Sequence, residues 1–152
     1  MKSLISIIIL SLTLTNCGFK PIYSSKNSNF EIIEILNKNE NKNSFEIEKM
    51  IMALSNQKAP NKVKLEIDYK KSIETILKDR KGDPSKKKLS ITINLKVENN
   101  KDNVLVNKNF YEEFSYAVQS DKFNMSQYED NIIHNLNNKI SNDIIFLLGT
   151  LR

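Results

Sequence analysis

Residues 89–97 read "LSITINLKV", and in them Leu89, Ile91, Ile93, Leu95 and Val97 alternate with Ser90, Thr92, Asn94 and Lys96. Successive side chains of a strand point to opposite faces, so a strict period of two describes a strand with one side on a core and the other in water. Upstream, Val63, Leu65, Ile67 and Tyr69 alternate in the same way with Lys64, Glu66, Asp68 and Lys70, and Ile73, Ile76 and Leu77 extend that strand past a bend or bulge. Downstream, Val104, Val106, Phe110, Phe114 and Tyr116 continue on a third long strand. Gly82, Asp83 and Pro84 predict a turn within a loop over 78–88, and residues 99–103 predict the next hairpin turn. Three hairpin-linked strands make an antiparallel sheet.

The flanks supply the rest. Phe30 to Ile35 reads as a short strand, broken by the Asn/Lys run 37–43. Ile47, Met50, Ile51 and Leu54 then recur at the spacing of one buried helix face; Asn43 or Ser44 is the expected cap, Glu46 and Glu48 suit the positive end of the helix dipole, and the helix should end near Asn56. Ser120 or Asp121 is the expected cap of a long final helix whose apolar stripe is Met125, Tyr128, Ile132, Leu136, Ile140, Ile144 and Leu147. The order β-α-β-β-β-α predicts an α+β two-layer sandwich, a four-stranded, mainly antiparallel sheet with two helices on one face. No Pro/Gly-rich linker interrupts residues 30–152, so one domain is expected there.

The chain opens "MKSLISIIILSLTLTNCGFKPIYSSK", and its only cysteine, Cys17, stands where an apolar run stops. Leu4 to Leu14 carries no charge yet is shorter than the ~20 residues that cross a bilayer core. With Lys2 ahead of it, the run predicts a secretory signal over 1–16. Leu14-Thr15-Asn16-Cys17 resembles a bacterial lipobox, with Asn16 where a small residue is usual. Cys17 would then carry the acyl chains, palmitate among them, followed by a tether over 17–29. Each buried CH₂ contributes ~0.8 kcal/mol, so two or more chains anchor stably. Gly18 in place of an aspartate resembles lipoproteins sent on to an outer membrane. The formal charge of +5 becomes +4 when Lys2 leaves with the signal (5 − 1 = 4).

Groups for catalysis are sparse. His134 is the single histidine, expected to pack or face solvent within the last helix, and no second His or Cys stands at metal-ligand spacing. Glu112-Glu113 and Glu129-Asp130 are adjacent carboxylates, which diverge on a strand or a helix and read as solvent-facing charges. No cofactor other than the covalent lipid and no enzymatic activity is expected. The concentrated feature is basic: Lys78, Arg80, Lys81, Lys86, Lys87 and Lys88 crowd the predicted loop. Such a run serves solubility, or it forms an anion site in which Arg grips a phosphate bidentately and lysines add point charge. Nucleic acid fits poorly, because the loop lacks interleaved aromatics that would stack bases. Glycolipid phosphates fit better.

Cys17-Gly18-Phe19-Lys20-Pro21-Ile22-Tyr23, the element order with its long final helix, and Arg80-Lys81-Gly82 at a hairpin tip together resemble the lipopolysaccharide-assembly lipoproteins of the LptE type, in their alphaproteobacterial form. That resemblance implies a non-enzymatic outer-membrane lipoprotein of Gram-negative envelope biogenesis. Its domain would plug the lumen of the barrel LptD from the periplasmic side, help that barrel assemble and contact lipopolysaccharide. Arg80, and more loosely Lys81 and Lys122, would correspond to the family's basic lipid-contacting residues. A tether of ~12 residues reaches at most ~40 Å, enough to keep the lipid in the leaflet with the domain inside the barrel. A lipoprotein that binds another envelope partner remains the alternative.

Overall fold

The computed structural model describes residues 28–151, so the expected signal peptide, Cys17 and most of the tether lie outside the described residues. The elements follow the expected order: β1 (Phe30–Asn37), α1 (Lys42–Met52), β2 (Asn61–Lys78), β3 (Pro84–Asn99), β4 (Val104–Ala117) and α2 (Lys122–Thr150). They form one four-stranded sheet in the order β1-β2-β3-β4. β1 runs parallel to β2, and the two hairpins are antiparallel, so the sheet is mixed. Both helices pack on one face, as two amphipathic helices and a half-apolar sheet require if their apolar surface is to leave water.

Leu89, Ile91, Ile93, Leu95 and Val97 are all fully buried in the central strand, with Val63, Leu65, Ile67 and Tyr69 beside them on β2. From α1, Ile47 and Ile51 reach this core, and from α2 so do Ile132, Leu136, Ile140, Ile144 and Leu148. The stripe of α2 is broader than its sequence spacing suggested. Ile133, Asn137 and Ser141 are buried too, while Tyr128 and Leu147 lie at its borders. Tyr128 packs instead edge-on against Tyr116, ring centroids 6.0 Å apart.

Boundaries shift where side chains compete for backbone groups. α1 is capped by Asn41, not by Asn43 or Ser44: the Asn41 carboxamide oxygen accepts from the N–H groups of Asn43 and Ser44, and Asn41 N–H donates to Ser44 Oγ. This reciprocal box places Ser44 inside the first turn and leaves no acidic residue there. The helix stops at Met52 with Ala53 as its C-cap, short of Asn56, and β1 runs on to Asn37. α2 starts from Asp121, whose carboxylate accepts from Phe123 and Asn124 N–H.

The predicted loop 78–88 shrinks to a turn over 79–83, because β3 already begins at Pro84. Both hairpins close in the same way. Asp79 Oδ1 accepts from Lys81 and Asp83 N–H, and Asn99 Oδ1 accepts from Lys101 and Asn103 N–H. The fourth residue of each turn is left-handed: Gly82 at φ 90° and Asp102 at φ 60°. That is the geometry of a type I turn closed by a bulge.

Candidate functional site

The β2–β3 hairpin outgrows the helices that cover the sheet. From Lys70 to Lys78 every β2 residue is exposed, although each has a partner on β3 or borders a bulge. Ile73 lies opposite Leu89, which lies opposite Phe114, so these three form one row across the core-side face. Leu89 is fully buried within it, whereas Ile73 and Phe114 at its flanks are exposed. Past the β-bulges the faces change over: Leu77 (58% exposed) lies opposite Lys86 on the open face, and exposed Ile76 precedes it without a partner on β3. Val118 N–H donates to Ser85 O, which brings the segment leading into α2 beside the start of β3. Lys122 and Phe123 (70% exposed) begin that helix.

The basic residues divide according to the strand's alternation. Arg80 and Lys81 occupy the turn itself, held outward by Asp79, whose carboxylate is spent on backbone N–H groups. Lys86, Lys87 and Lys88 belong to β3, so consecutive side chains point to opposite faces. Lys87 reaches α2, 3.5 Å from Glu129, whose same oxygen also accepts from Tyr116 O–H at 2.6 Å. Lys88 lies on the open face between Glu113 (3.5 Å) and Glu74 (3.7 Å), and those carboxylates, Glu113 foremost, raise its pKa. The six predicted anion-site residues therefore do not form one cluster. Arg80, Lys81, Lys86 and Lys122 make no ion pair among the described residues, whereas Lys87 and Lys88 already have counter-charges.

The rest of the open face is charge-compensated. Lys38 pairs with Glu66 (2.6 Å), Lys64 with Asp102 (2.7 Å), Lys70 with Asp68 (3.1 Å) and Lys96 with Glu98 (2.7 Å). The hydrogen bond from Lys70, aided by Asn94 and Asn39, holds the Asp68 carboxyl below its usual range against the opposing effect of burial. The paired carboxylates seen in the sequence are not simple solvent charges. Glu112 accepts from Lys139 Nζ at 2.7 Å and Glu129 from Tyr116, each joining β4 to α2.

A polar network that sequence reasoning missed joins the two helices to the sheet. Buried Tyr69 donates its O–H to Asn137 Oδ1 at 3.3 Å; Asn137 Nδ2 donates to Glu46 Oε2 at 2.7 Å; and the other Glu46 oxygen meets His134 Nδ1. Burial, with the Glu46 charge second, pushes the Tyr69 phenol well above its ordinary value. Asn137 is fully buried, and its place directly after Leu136 and three residues before Ile140, beside the apolar stripe, was the available signal. The network lies under an open cleft of about 620 Å³ lined by Lys42, Phe45, Glu46, Asp130 and His134 among others. No group of three or more His, Cys, Asp or Glu gathers at metal-binding distance among the described residues.

This architecture is shared with several solved structures of bacterial lipoproteins. It is similar to rare lipoprotein B from Shewanella oneidensis, at 10% identity and a TM-score of 0.59 over 77% of this chain and 91% of that one. Lipoprotein B from Nitrosomonas europaea gives 10% identity and a TM-score of 0.61 over 84% and 88%. A minor lipoprotein from Acinetobacter baumannii gives 9% and 0.58 over 84% and 92%. At these identities the likeness is one of fold. No family model and no curated protein matches the sequence.

Proposed function

We propose that this chain is an outer-membrane lipoprotein of the LptE type, acylated at Cys17, which sits in the lumen of an LptD barrel, helps it assemble and contacts lipopolysaccharide in transit. The role is non-enzymatic. The shared fold with bacterial lipoproteins supports the class, and the lipobox-like Leu14 to Cys17 stretch supports the anchor. The observation that carries the lipid contact is the projecting hairpin end: uncompensated cations at Arg80, Lys81 and Lys86, with Lys122 on the neighbouring helix, share that end with exposed Leu77, opposite Lys86, and with exposed Phe123, next to Lys122 in the chain. Phosphate groups joined to acyl chains match that juxtaposition. The open face, polar and internally paired, suits the wall of a water-filled lumen, where contacts are hydrogen bonds and charges as much as apolar packing.

The test separates free from paired cations. Arg80→Gln/Lys81→Gln/Lys86→Gln should lower capture of lipopolysaccharide by the purified protein at least tenfold at low salt. Exposed charges are worth ~0–1 kcal/mol each and ~1.4 kcal/mol is a decade, so a few acting on one ligand suffice. Lys87→Gln/Lys88→Gln should do less, since both lysines are committed to carboxylates. The difference should shrink at high salt, where screening acts over less than ~8–10 Å. Copurification of the barrel is read separately. Unchanged capture by the triple variant reduces the tip to a solvated turn, and loss of the barrel from wild-type preparations refutes the plug.

A further inference from the structure

β1 accompanies β2 only part of the way. Their pairing ends at Asn37 and Ile67, and the Lys38 N–H that follows donates to Ile67 O at 2.9 Å before the chain turns away toward α1. β2 runs on through Lys78, so residues 68–78 have β3 on one side and no strand on the other among the described residues. That last bond also fixes which groups are left facing out. N–H and C=O of one strand residue point to the same side and alternate along the chain. Because Ile67 addresses the β1 side, so do Tyr69, Lys71, Ile73 and Thr75, while the even-numbered residues address β3. The bulges that would spoil the edge come only after Thr75, so the stretch 68–75 is a regular, open ladder.

Natural edges of this kind are commonly blunted by lysine and by bulges, and Lys71 and Lys78 fit that role. They also select. Lys71, Lys78, Arg80 and Lys81 along and above the edge make no ion pair among the described residues, and the apolar row Ile73, Leu89, Phe114 ends at this edge with Ile73 exposed. We infer that the free edge of β2 over residues 68–75 docks an extended acidic segment of a partner protein, which adds as a further strand, sets apolar side chains beside Ile73 and places carboxylates against Lys71 and Lys78. Backbone bonds would supply affinity, and the alternating pattern with the charges would supply specificity. This surface goes beyond the lipid contact proposed above and does not rest on it.

The probes are three fluorescein-labelled ten-residue peptides: one with Thr at every second position and Glu and Val in turn at the others, so that carboxylates and apolar side chains share the face of Lys71 and Ile73; the same peptide with Lys for Glu; and the Glu peptide with a central proline. Anisotropy with the full-length protein in detergent should show the Glu peptide binding at least tenfold more tightly than either of the others. Ile73→Pro removes one outward N–H and leaves the β3 ladder donors in place; it should weaken binding tenfold or more, while Ile73→Ala, which keeps that N–H, should cost only a few-fold. Thermal melting checks that the proline variant folds. Should it not, Lys71→Glu/Lys78→Glu carries the test, and its preference should turn from the Glu peptide to the Lys peptide. Equal binding of all three peptides, no binding, or an unchanged preference in the charge-reversed variant would overturn the inference. Self-association that Ile73→Pro abolishes, without peptide binding, would assign the edge to a second copy instead. Lipopolysaccharide capture by Ile73→Pro should stay at the wild-type level, so failure here is distinguishable from failure of the lipid reading.

Discussion

At the scale of single residues, alternation on β3 makes a sharp contrast between neighbours. Ile93 is fully buried, opposite Tyr69 and Phe110 on the two flanking strands. Ile93→Ala should cost ~2–5 kcal/mol, because a cavity opens where neighbours cannot collapse, out of a total of ~5–15 for a domain of this kind. Thr92, on the open face, should lose far less on the same truncation. Equal shifts of their urea midpoints would contradict the inside/outside assignment. Two of the shifted groups bear on the pH range. The folded protein lowers the Asp68 pKa, so its stabilisation is present above the ordinary aspartate value of 3.8 and is lost as pH falls below it. Burial raises the pKa of Tyr69, so its contribution is present up to the ordinary value of 10.0 and is lost as pH rises beyond that. Thermal melts from pH 2 to 11 should fall at both ends, and Asp68→Asn should flatten the acid limb.

At the scale of elements, the helices differ in how they are held. α2 lies along the sheet with a broad apolar stripe, whereas the short α1 contributes two fully buried isoleucines and polar ties from Glu46 to Asn137 and His134 and from Glu48 to Asn37. Asn137 is the critical member, since it is fully buried and serves Tyr69 and Glu46 together. Asn137→Ala should cost ~1–3 kcal/mol by leaving a buried hydroxyl unpaired, against ~0–1 for His134→Ala at the exposed end. A double variant with Tyr69→Phe should lose less than the sum of the two single changes, because the partners depend on each other. Chemical denaturation of the four proteins gives the cycle. The same scale explains the basic run. "SKKK" reads as loop beside Gly82 and Pro84, yet its backbone pairs with β2 on one side and β4 on the other, and that pairing scatters the three lysines to two faces.

At the scale of the whole molecule, the described chain enters beside Asn61, at the end of β2 away from the β2–β3 turn. The core elements all lie downstream of Cys17, so Cys17→Ser should leave the melting temperature of the domain unchanged. Metabolic labelling with a fatty-acid analogue should vanish in that variant; label retained would refute acylation at this residue. The entry of the chain into the domain is itself pinned: Asn29 Nδ2 donates to the carbonyls of Gly149 and Leu151 at 3.2 and 3.3 Å, joining the start of β1 to the end of α2.

The sequence alone determined the element order, the buried faces of β2 and β3 and the mainly antiparallel sheet, because periods of two and 3.6 are local properties of a chain that must hide one side of each element. Capping was half legible: Asp121 was among the candidates for α2, but Asn41 was lost within a run where Asn37, Asn39, Asn43 and Ser44 are equally competent caps. Only the tertiary structure decided which cations are free. Whether Lys87 meets Glu129, or Lys88 meets Glu74 and Glu113, depends on strand register and on where a helix crosses the sheet, and neither is written in local spacing. The same holds for the open edge of β2, since it exists only because β1 stops pairing at Ile67, eleven residues before its neighbour ends.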